Sequence, residues 1–325
     1  AIEVDVDAIC DGESVLIALF TYGAATALAC VPLLRRYDLP FILSYVPWPS
    51  KPLSDLEDMV RLADRYDAVV ARVCMSSWTR YSASEAPFET EKYWPEILGV
   101  VHRLRREVSI PIHLMPNMYE LRTMRPIVQG TVKYSPAARA GFQYGDLIVG
   151  MDDTPVFTRP EVSRYLINRL DDLSLKSTRF TVEREGHRVD IEVPHPRDVA
   201  ELEYPYRYLA RRGDSRTWAG SLGLHMADGI ELTSFMHLKD TIEQYRGKRV
   251  LLFISEMGEP HFYEGMAMLG PVAAFIDSVE LYVQKLWPRY WGGNVIIGDL
   301  WTAPDIIEQT ESWIERNGAR PDVIV

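Results

Sequence analysis

The chain has 325 residues, of which 47% are apolar and 25% charged, and its formal net charge is -11 at pH 7. This length predicts two or three domains, and the composition is that of a globular protein rather than a disordered one. The acidic excess argues against a nucleic-acid partner, because a sequence-independent grip on phosphates requires clustered Lys and Arg.

Residues 14–34 are an uncharged, mostly apolar run that is long enough to cross a bilayer. Thr21, Tyr22 and Gly23 interrupt the run, and acidic residues precede it. We therefore interpret it as a buried strand, "SVLIALF", a turn, and a helix, "AATALACVPLLRRYD", with a membrane segment as the less favoured alternative. Ala1 is not a methionine, so we expect the chain to begin inside a longer or processed protein.

Residues 1–124 alternate between apolar runs of strand length and helical patterns. The strand-like runs show no polar alternation, which is typical of parallel strands covered on both faces. We therefore predict an α/β unit, either a layered sheet or a partial barrel. The predicted strands are "VLIALF", "PFILSYVP", "DAVVARVCM" and "IPIHLMP", and the predicted helices are "AATALACVPLLRRY", "LSDLEDMVRLADRY" and "YWPEILGVVHRLRREV".

Residues 125–195 have shorter, polar-alternating patterns around one helix, "RPEVSRYLINRL", which predicts a small β-rich domain. Within it, "SPAARAG" reads as a one-turn helix that ends at Gly141, a residue able to take a positive φ. Asp146 follows, placed to accept hydrogen bonds from backbone amides of the preceding turn.

This middle segment resembles a bacterial PDZ domain, and the helix and the hairpin at residues 182–186 follow in the family's order. PDZ domains bind an extended peptide as an added strand, and a loop of backbone amides holds its terminal carboxylate. The resemblance therefore implies a peptide or protein partner. The stretch "MYELRTMRPIVQG", upstream of Ser135, has no counterpart of that loop, so a spacer role is the alternative. The residues that carry the resemblance are Ser135, Pro136, Ala137, Ala140, Gly141, Gly145, Asp146 and Ile148.

From residue 196 to residue 325 the strand and helix alternation returns, which predicts a second α/β unit with a parallel sheet. The stretches "GKRVLLFISEMGEPHF" and "WGGNVIIGDLWTAPDII" resemble a C-terminal module, of unknown function, in bacterial proteins that combine a PDZ domain with a radical S-adenosylmethionine (SAM) domain. The matching residues are Gly292, Gly293, Val295, Gly298, Leu300, Thr302, Asp305 and Ile306. The predicted fold class is α/β multidomain, with two parallel-sheet units flanking a small PDZ-like domain.

The resemblance implies that residues 1–124 are a degenerate or truncated radical-SAM barrel, although the family usually places its PDZ segment before the barrel. Such enzymes hold a [4Fe–4S] cluster on a C-x-x-x-C-x-x-C loop, and this sequence has none. A [4Fe–4S] cluster and SAM are therefore expected only if a cysteine loop lies upstream. Cys10, Cys30 and Cys74 are widely spaced, which fits neither disulfides nor a zinc knuckle and favours the cytoplasm.

Ligands of parallel sheets bind beyond the carboxyl ends of the strands. In the C-terminal segment this rule selects the loops after "VLLFIS" and "NVIIG". We predict a shared pocket in which Glu256 and His261 are acid–base groups or metal ligands and Asp299 orients one of them. Further candidate ligand-binding residues are Ser255, Glu259, Trp301, Thr302, Arg80 and His113.

Structural alternatives exist for several of these residues. Glu259 and Pro260 form a common helix opening, and Thr302 with Asp305 reads as a helix N-cap and its first-turn acid. A lone histidine in a strand, such as His113, is more often a core residue.

Three functions follow. The favoured one is a radical-SAM-like enzyme or the remnant of one, because the C-terminal resemblance points to one lineage; as an enzyme it would be an oxidoreductase or a maturation enzyme. The alternatives are a non-enzymatic adaptor that binds protein C-termini and a two-lobed protein that binds a small molecule between its α/β units.

Overall fold

The computed structural model describes residues 6–10, 15–21, 24–81, 87–115, 120–121, 123–172, 174–196, 202–207, 222–227, 232–245, 248–270, 279–295 and 301–325. The chain divides into two compact units. Unit 1 comprises residues 1–76, 91–121 and 125–229, and unit 2 comprises residues 77–90, 122–124 and 230–325. The protein is mixed α/β, as expected from the sequence.

The first sheet of unit 1 has the strand order β1-β2-β3-β4-β5. Strands β2 to β5 are parallel, as predicted, and β1 is an additional antiparallel edge strand. The strands are β1 (Val6–Cys10), β2 (Val15–Thr21), β3 (Phe41–Tyr45), β4 (Val70–Cys74) and β5 (Ile112–Met115), and the connecting helices are α1 (Ala24–Arg36), α2 (Leu53–Arg65) and α3 (Thr90–Leu104).

The apolar run at residues 14–34 forms β2 and α1, which confirms its interpretation as a strand and a helix. The described part of the chain contains no helix with the length and apolar character needed to cross a bilayer.

The two faces of the first sheet have different partners. Leu43, Val73 and Leu114 pack with α2 and α3 in one cluster. Ile42 and Val70, which alternate onto the opposite face, pack instead with Val132, Leu202 and Tyr206. The connecting helices therefore share one face of the sheet, and the opposite face, called the inner face below, is turned toward Val132 of the middle segment.

The middle segment forms a four-stranded antiparallel sheet with the order β10-β9-β7-β8 and a separate pair, β6 with β11. The strand β11 was not predicted, and it comes from the stretch that the sequence assigned to the C-terminal module. The elements are β6 (Val128–Thr131), α4 (Pro136–Ala140), β7 (Leu147–Met151), β8 (Thr154–Pro155), α5 (Arg159–Asp171), β9 (Ser177–Arg184), β10 (His187–Pro194) and β11 (Leu224–Met226).

The turn around α4 is held as the sequence predicts. Ser135 Oγ accepts a hydrogen bond from Ala138 N at 3.2 Å, and Gly141 closes the helix at φ 88°. Asp146 is 1% exposed and accepts from Gln143 N at 2.9 Å. Arg184 donates to the same carboxylate through Nε and Nη2, both at 2.7 Å.

Unit 2 contains a parallel sheet, as predicted, and its strand order is β13-β12-β14. The helix Leu232–Glu243, called α6, was not predicted. Most of the predicted strand "GNVIIGDL" lies outside the described residues. The elements are α6 (Leu232–Glu243), β12 (Arg249–Ile254), α7 (Gly258–Leu269), β13 (Glu280–Lys285), α8 (Ala303–Asn317) and β14 (Val323–Ile324). The three-segment division with boundaries after residues 124 and 195 stays a prediction.

We expect Asp146→Asn to lower the free energy of unfolding by about 2 kcal/mol or more, because it removes the buried carboxylate that pairs with Arg184 and accepts from the α4 turn. Asp153→Asn is the matched control. Its carboxylate makes an exposed ion pair with Arg179, so the expected loss is below about 0.5 kcal/mol. Urea denaturation measures both values, and equal losses would show that the buried pair does not hold the α4 turn.

Candidate functional site

The strongest candidate site is the turn at Leu222 and Gly223 together with the strand β11 that follows. Both turn residues have positive φ, 54° and 86°. Leu222 O accepts a hydrogen bond from Ala137 N at 3.1 Å, and Gly223 O accepts from Val132 N at 2.8 Å. The turn is therefore fixed to the start of α4 and to the end of β6.

Position 223 requires glycine for two reasons. Its positive φ is strained for residues with a Cβ atom. In addition, a Cβ at this position would lie 2.2 Å from Ser135 Cβ and 2.3 Å from Ser135 Oγ. Because Ser135 caps α4, the backbone of the turn and the helix cap occupy adjoining space.

The amides of this turn are buried, and they are candidate donors to a ligand. The hydrogen bond from Val132 to Gly223 shows that these two residues face each other through their backbones. The N–H and C=O groups of the next residue, Leu224, therefore point toward the outer edge of β11. No residue in the described ranges accepts a hydrogen bond from the N–H of Leu222 or Gly223. Consecutive amides in such turns form concavities that bind anions.

The surroundings of β11 are apolar on one side and cationic at one end. Leu224 and Met226 are buried in the same cluster as Val162 and Leu166 of α5. The helix α5 begins at Arg159, whose charge contributes to the low pKa of His225 on β11. An anion at the edge of β11 would thus meet backbone donors and a nearby guanidinium group.

His225 points to the other side of β11, toward the first sheet. Its Nε2 lies 2.9 Å from Nδ1 of His113 on β5, and both side chains are buried. Burial, the neighbouring His113, and the charges of Arg159, Arg105 and Arg72 hold the pKa of His225 well below its usual value. His113, predicted as a ligand residue, thus forms a buried contact with an uncharged imidazole.

The predicted pocket residues of unit 2 have contacts around the start of α7. Ser255 Oγ accepts from Gly258 N at 2.9 Å, which opens the helix. Glu259, in its first turn, forms an ion pair with Lys285 at 3.1 Å. His261 is buried within α7, and Glu256 is half-buried in the turn before it. Asp299 lies outside the described residues, so the predicted shared pocket stays a prediction.

The remaining predicted residues of unit 2 also have local contacts. The N and Oγ1 of Thr302 donate to Asp305 Oδ2 at 2.9 and 2.8 Å, which confirms the N-cap interpretation. Burial, which raises the pKa of Asp305, is outweighed by these hydrogen bonds, so that this pKa lies below its usual value. Trp301 Nε1 donates to Leu286 O at 3.1 Å, and Arg80 donates to the carbonyl oxygen of Arg289.

The described cysteines do not fit a metal cluster. Cys30 lies on α1 and packs with the cluster on the helix-covered face of the first sheet. Cys74 alternates with Ala71 and Val73 onto the opposite face. Within the ranges that the structure describes, no three His, Cys, Asp or Glu side chains are grouped as metal ligands.

Sequence reasoning missed the turn and β11 because it sought amide donors upstream of Ser135. The signal in the sequence is the short triplet "LGL" at residues 222–224, in which glycine separates two apolar residues.

No protein-family model matches this chain. Two curated proteins, both described as "Putative zinc metalloprotease", match it over 108 residues at 35% identity; one is from Brucella suis biovar 1 and the other from Brucella melitensis biotype 1. The match covers 32% of this chain and 27% of each relative, so the chain spans about a quarter of the length of these relatives. The sequence contains no His-Glu-x-x-His, a zinc-binding motif of metalloproteases.

We expect Gly223→Ala to destabilise the protein more than Gly186→Ala. Both positions have positive φ, which costs alanine about 1–2 kcal/mol. Only at Gly223 does a new Cβ overlap another side chain, which adds about 1–3 kcal/mol. Urea denaturation of the two variants gives the difference. Equal losses would contradict the close approach of Gly223 to Ser135.

Stability should fall in mild acid because of His225. Its folded pKa is lower than the value near 6.5 of the unfolded chain, so the unfolded chain binds more protons between the two values. The free energy of unfolding therefore has its full value above about pH 6.5. Below that pH it decreases by up to about 1.4 kcal/mol per pH unit. Urea denaturation across about pH 5–8 should show a shallower slope for His225→Gln. The exposed control His187→Gln should keep the wild-type slope, and a wild-type slope in His225→Gln would refute this assignment.

Proposed function

We propose that unit 1 binds the carboxyl terminus of a peptide or protein, which joins the outer edge of β11 as an added strand. The observation that carries the proposal is the Leu222–Gly223 turn. It has two consecutive positive φ values and two amides without a described acceptor, and it leads directly to the outward N–H of Leu224. Backbone amides in this arrangement suit a terminal carboxylate.

In this proposal β6 to β10 and β11 together form a PDZ-like domain with rearranged chain order. The peptide-binding strand and its amide turn follow the hairpin β9–β10 in sequence, instead of preceding α4. The antiparallel pairing of β11 with β6 supports this assignment, since β6 leads directly into the "SPAARAG" turn that carries the family resemblance.

The charge and apolar surroundings of β11 suggest which peptides would bind. Arg159 would attract the carboxylate, because a cation beside backbone donors strengthens hydrogen bonds to an anion. Leu224 and Val162 belong to one apolar cluster, which favours an apolar final side chain on the peptide. The adaptor function therefore requires no metal and no redox group.

Two enzymatic functions have less support. The relatives are described as zinc metalloproteases, but the sequence lacks the His-Glu-x-x-His motif, and the described residues offer no three-ligand metal group. Radical-SAM chemistry keeps the support of the C-terminal resemblance and of the barrel-like strand order. Cys30 and Cys74, however, lie on opposite faces of the first sheet, so we assign no catalytic step to these residues.

The proposal predicts that a library of peptides with randomised, free carboxyl termini yields an enriched terminal motif. Fluorescence anisotropy then compares an enriched peptide with its C-terminally amidated copy. We expect the amidated peptide to bind about 10- to 100-fold more weakly, because it loses charge-assisted hydrogen bonds. Arg159→Gln should also weaken binding, whereas Arg188→Gln, an exposed change on β10, should not. Equal binding of the free and amidated peptides, or no enriched motif, would refute the proposal.

A further inference from the structure

A row of polar side chains crosses the inner face of the first sheet. Ser44 on β3 is the register partner of Arg72 on β4, and Arg72 is the partner of His113 on β5. Residues in register on adjacent strands point to the same side. That side is the inner one, because Ala71 and Val73 point to the helices. Three polar groups therefore lie next to one another on this face of the sheet.

Arg72 lacks a counter-ion in this row. Its side chain is half-buried, and its Nε is shielded from solvent and has no hydrogen-bond partner. In the described ranges no carboxylate forms an ion pair with it. Arg105, in contrast, is paired with Glu120 and donates to Gln129 and to the carbonyl oxygen of Ile112, both at 2.9 Å. A desolvated charge without a partner is unfavourable, so the fold compensates Arg105 but leaves Arg72 uncompensated.

Two serine hydroxyls, one beside Arg72 in the sheet and one four residues after it in the chain, also lack hydrogen bonds to described residues. Ser44 is fully buried, and its Oγ makes no hydrogen bond to any described residue. The same holds for Ser76, which is 2% exposed and lies two residues beyond the end of β4. A buried hydroxyl is normally hydrogen-bonded, so each of these groups has an unused donor.

The charges around the row favour an anion. Burial raises the pKa of Cys74, two residues from Arg72 on the same face, to about 11, and Arg72 offsets only part of this effect. The thiol is therefore neutral. Arg72 and Arg105 both act on the neutral His225, and Arg105 is paired with Glu120. Within the described ranges Arg72 is therefore the cation of this row without a carboxylate partner.

We propose that the inner face of the first sheet binds a small molecule through its carboxylate or phosphate group, with Arg72 as the charged anchor and Ser44 and Ser76 as hydroxyl donors. A guanidinium group matches two oxygens of either anion with parallel N–H bonds, and the hydroxyls can serve the remaining oxygen atoms. This site uses β3 and β4, whereas the proposed peptide site uses the outer edge of β11.

Isothermal titration of the whole chain with inorganic phosphate, pyrophosphate and succinate tests the proposal. We expect at least one of the three to bind, and the responding probe identifies the anion as a phosphate or a carboxylate. Arg72→Gln should weaken that binding by about 10- to 100-fold, because a charge-assisted contact is lost. Ser44→Ala should weaken it by a smaller factor, and the exposed control Arg188→Gln should leave it unchanged. Binding that Arg72→Gln does not alter, or no binding of any probe, would overturn the proposal.

Thermal melting without ligand distinguishes an anchor from a structural arginine. Removing an unpaired, half-buried charge should leave the melting temperature of Arg72→Gln equal to or above that of the wild type. Arg105→Gln, which breaks a buried ion pair, should melt at a lower temperature. If Arg72→Gln is destabilised as much as Arg105→Gln, then Arg72 has a structural partner and the proposal fails. Peptide binding is measured on the same variant. If Arg72→Gln still binds the peptide, failure of the anion proposal leaves the β11 proposal intact.

Discussion

The period-two alternation of side chains along extended backbone is the constraint on which unit 1 depends. It gives β11, a strand of three residues, two different faces: Leu224 and Met226 enter the apolar core of the middle segment, while His225 between them meets His113. It also separates the first sheet into a face that packs on helices and a face with a polar row. A register shift of one residue, in β11 or in a strand of the first sheet, would exchange the environments of its side chains.

Much of the fold could be predicted from the sequence because its signals are local. Uninterrupted apolar runs identified β2 to β5, and cap and turn residues such as Ser135, Gly141 and Asp146 behaved as their chemistry dictates. The strand β11 could not be predicted in this way. Three residues show no periodicity, and their partner β6 is distant in sequence, so nothing local indicates the pairing.

The site residues chosen from the sequence illustrate a general ambiguity of α/β units. Helices there begin just after strands end, so the residues that open a helix occupy the same loops as residues that bind ligands. Ser255 and Thr302 are of this kind, since both accept or donate hydrogen bonds at the first turn of a helix. Arg72 was overlooked for the opposite reason. It interrupts an apolar strand, and only the register with Ser44 shows that its neighbours are polar.

The contact between Gly223 and Ser135 has a consequence for sequence variation. A larger residue at 223 could be accommodated only if position 135 lost its side chain, and that loss would remove the cap of α4. A substitution at either position alone is therefore unfavourable. We expect residues 135 and 223 to covary among divergent homologues.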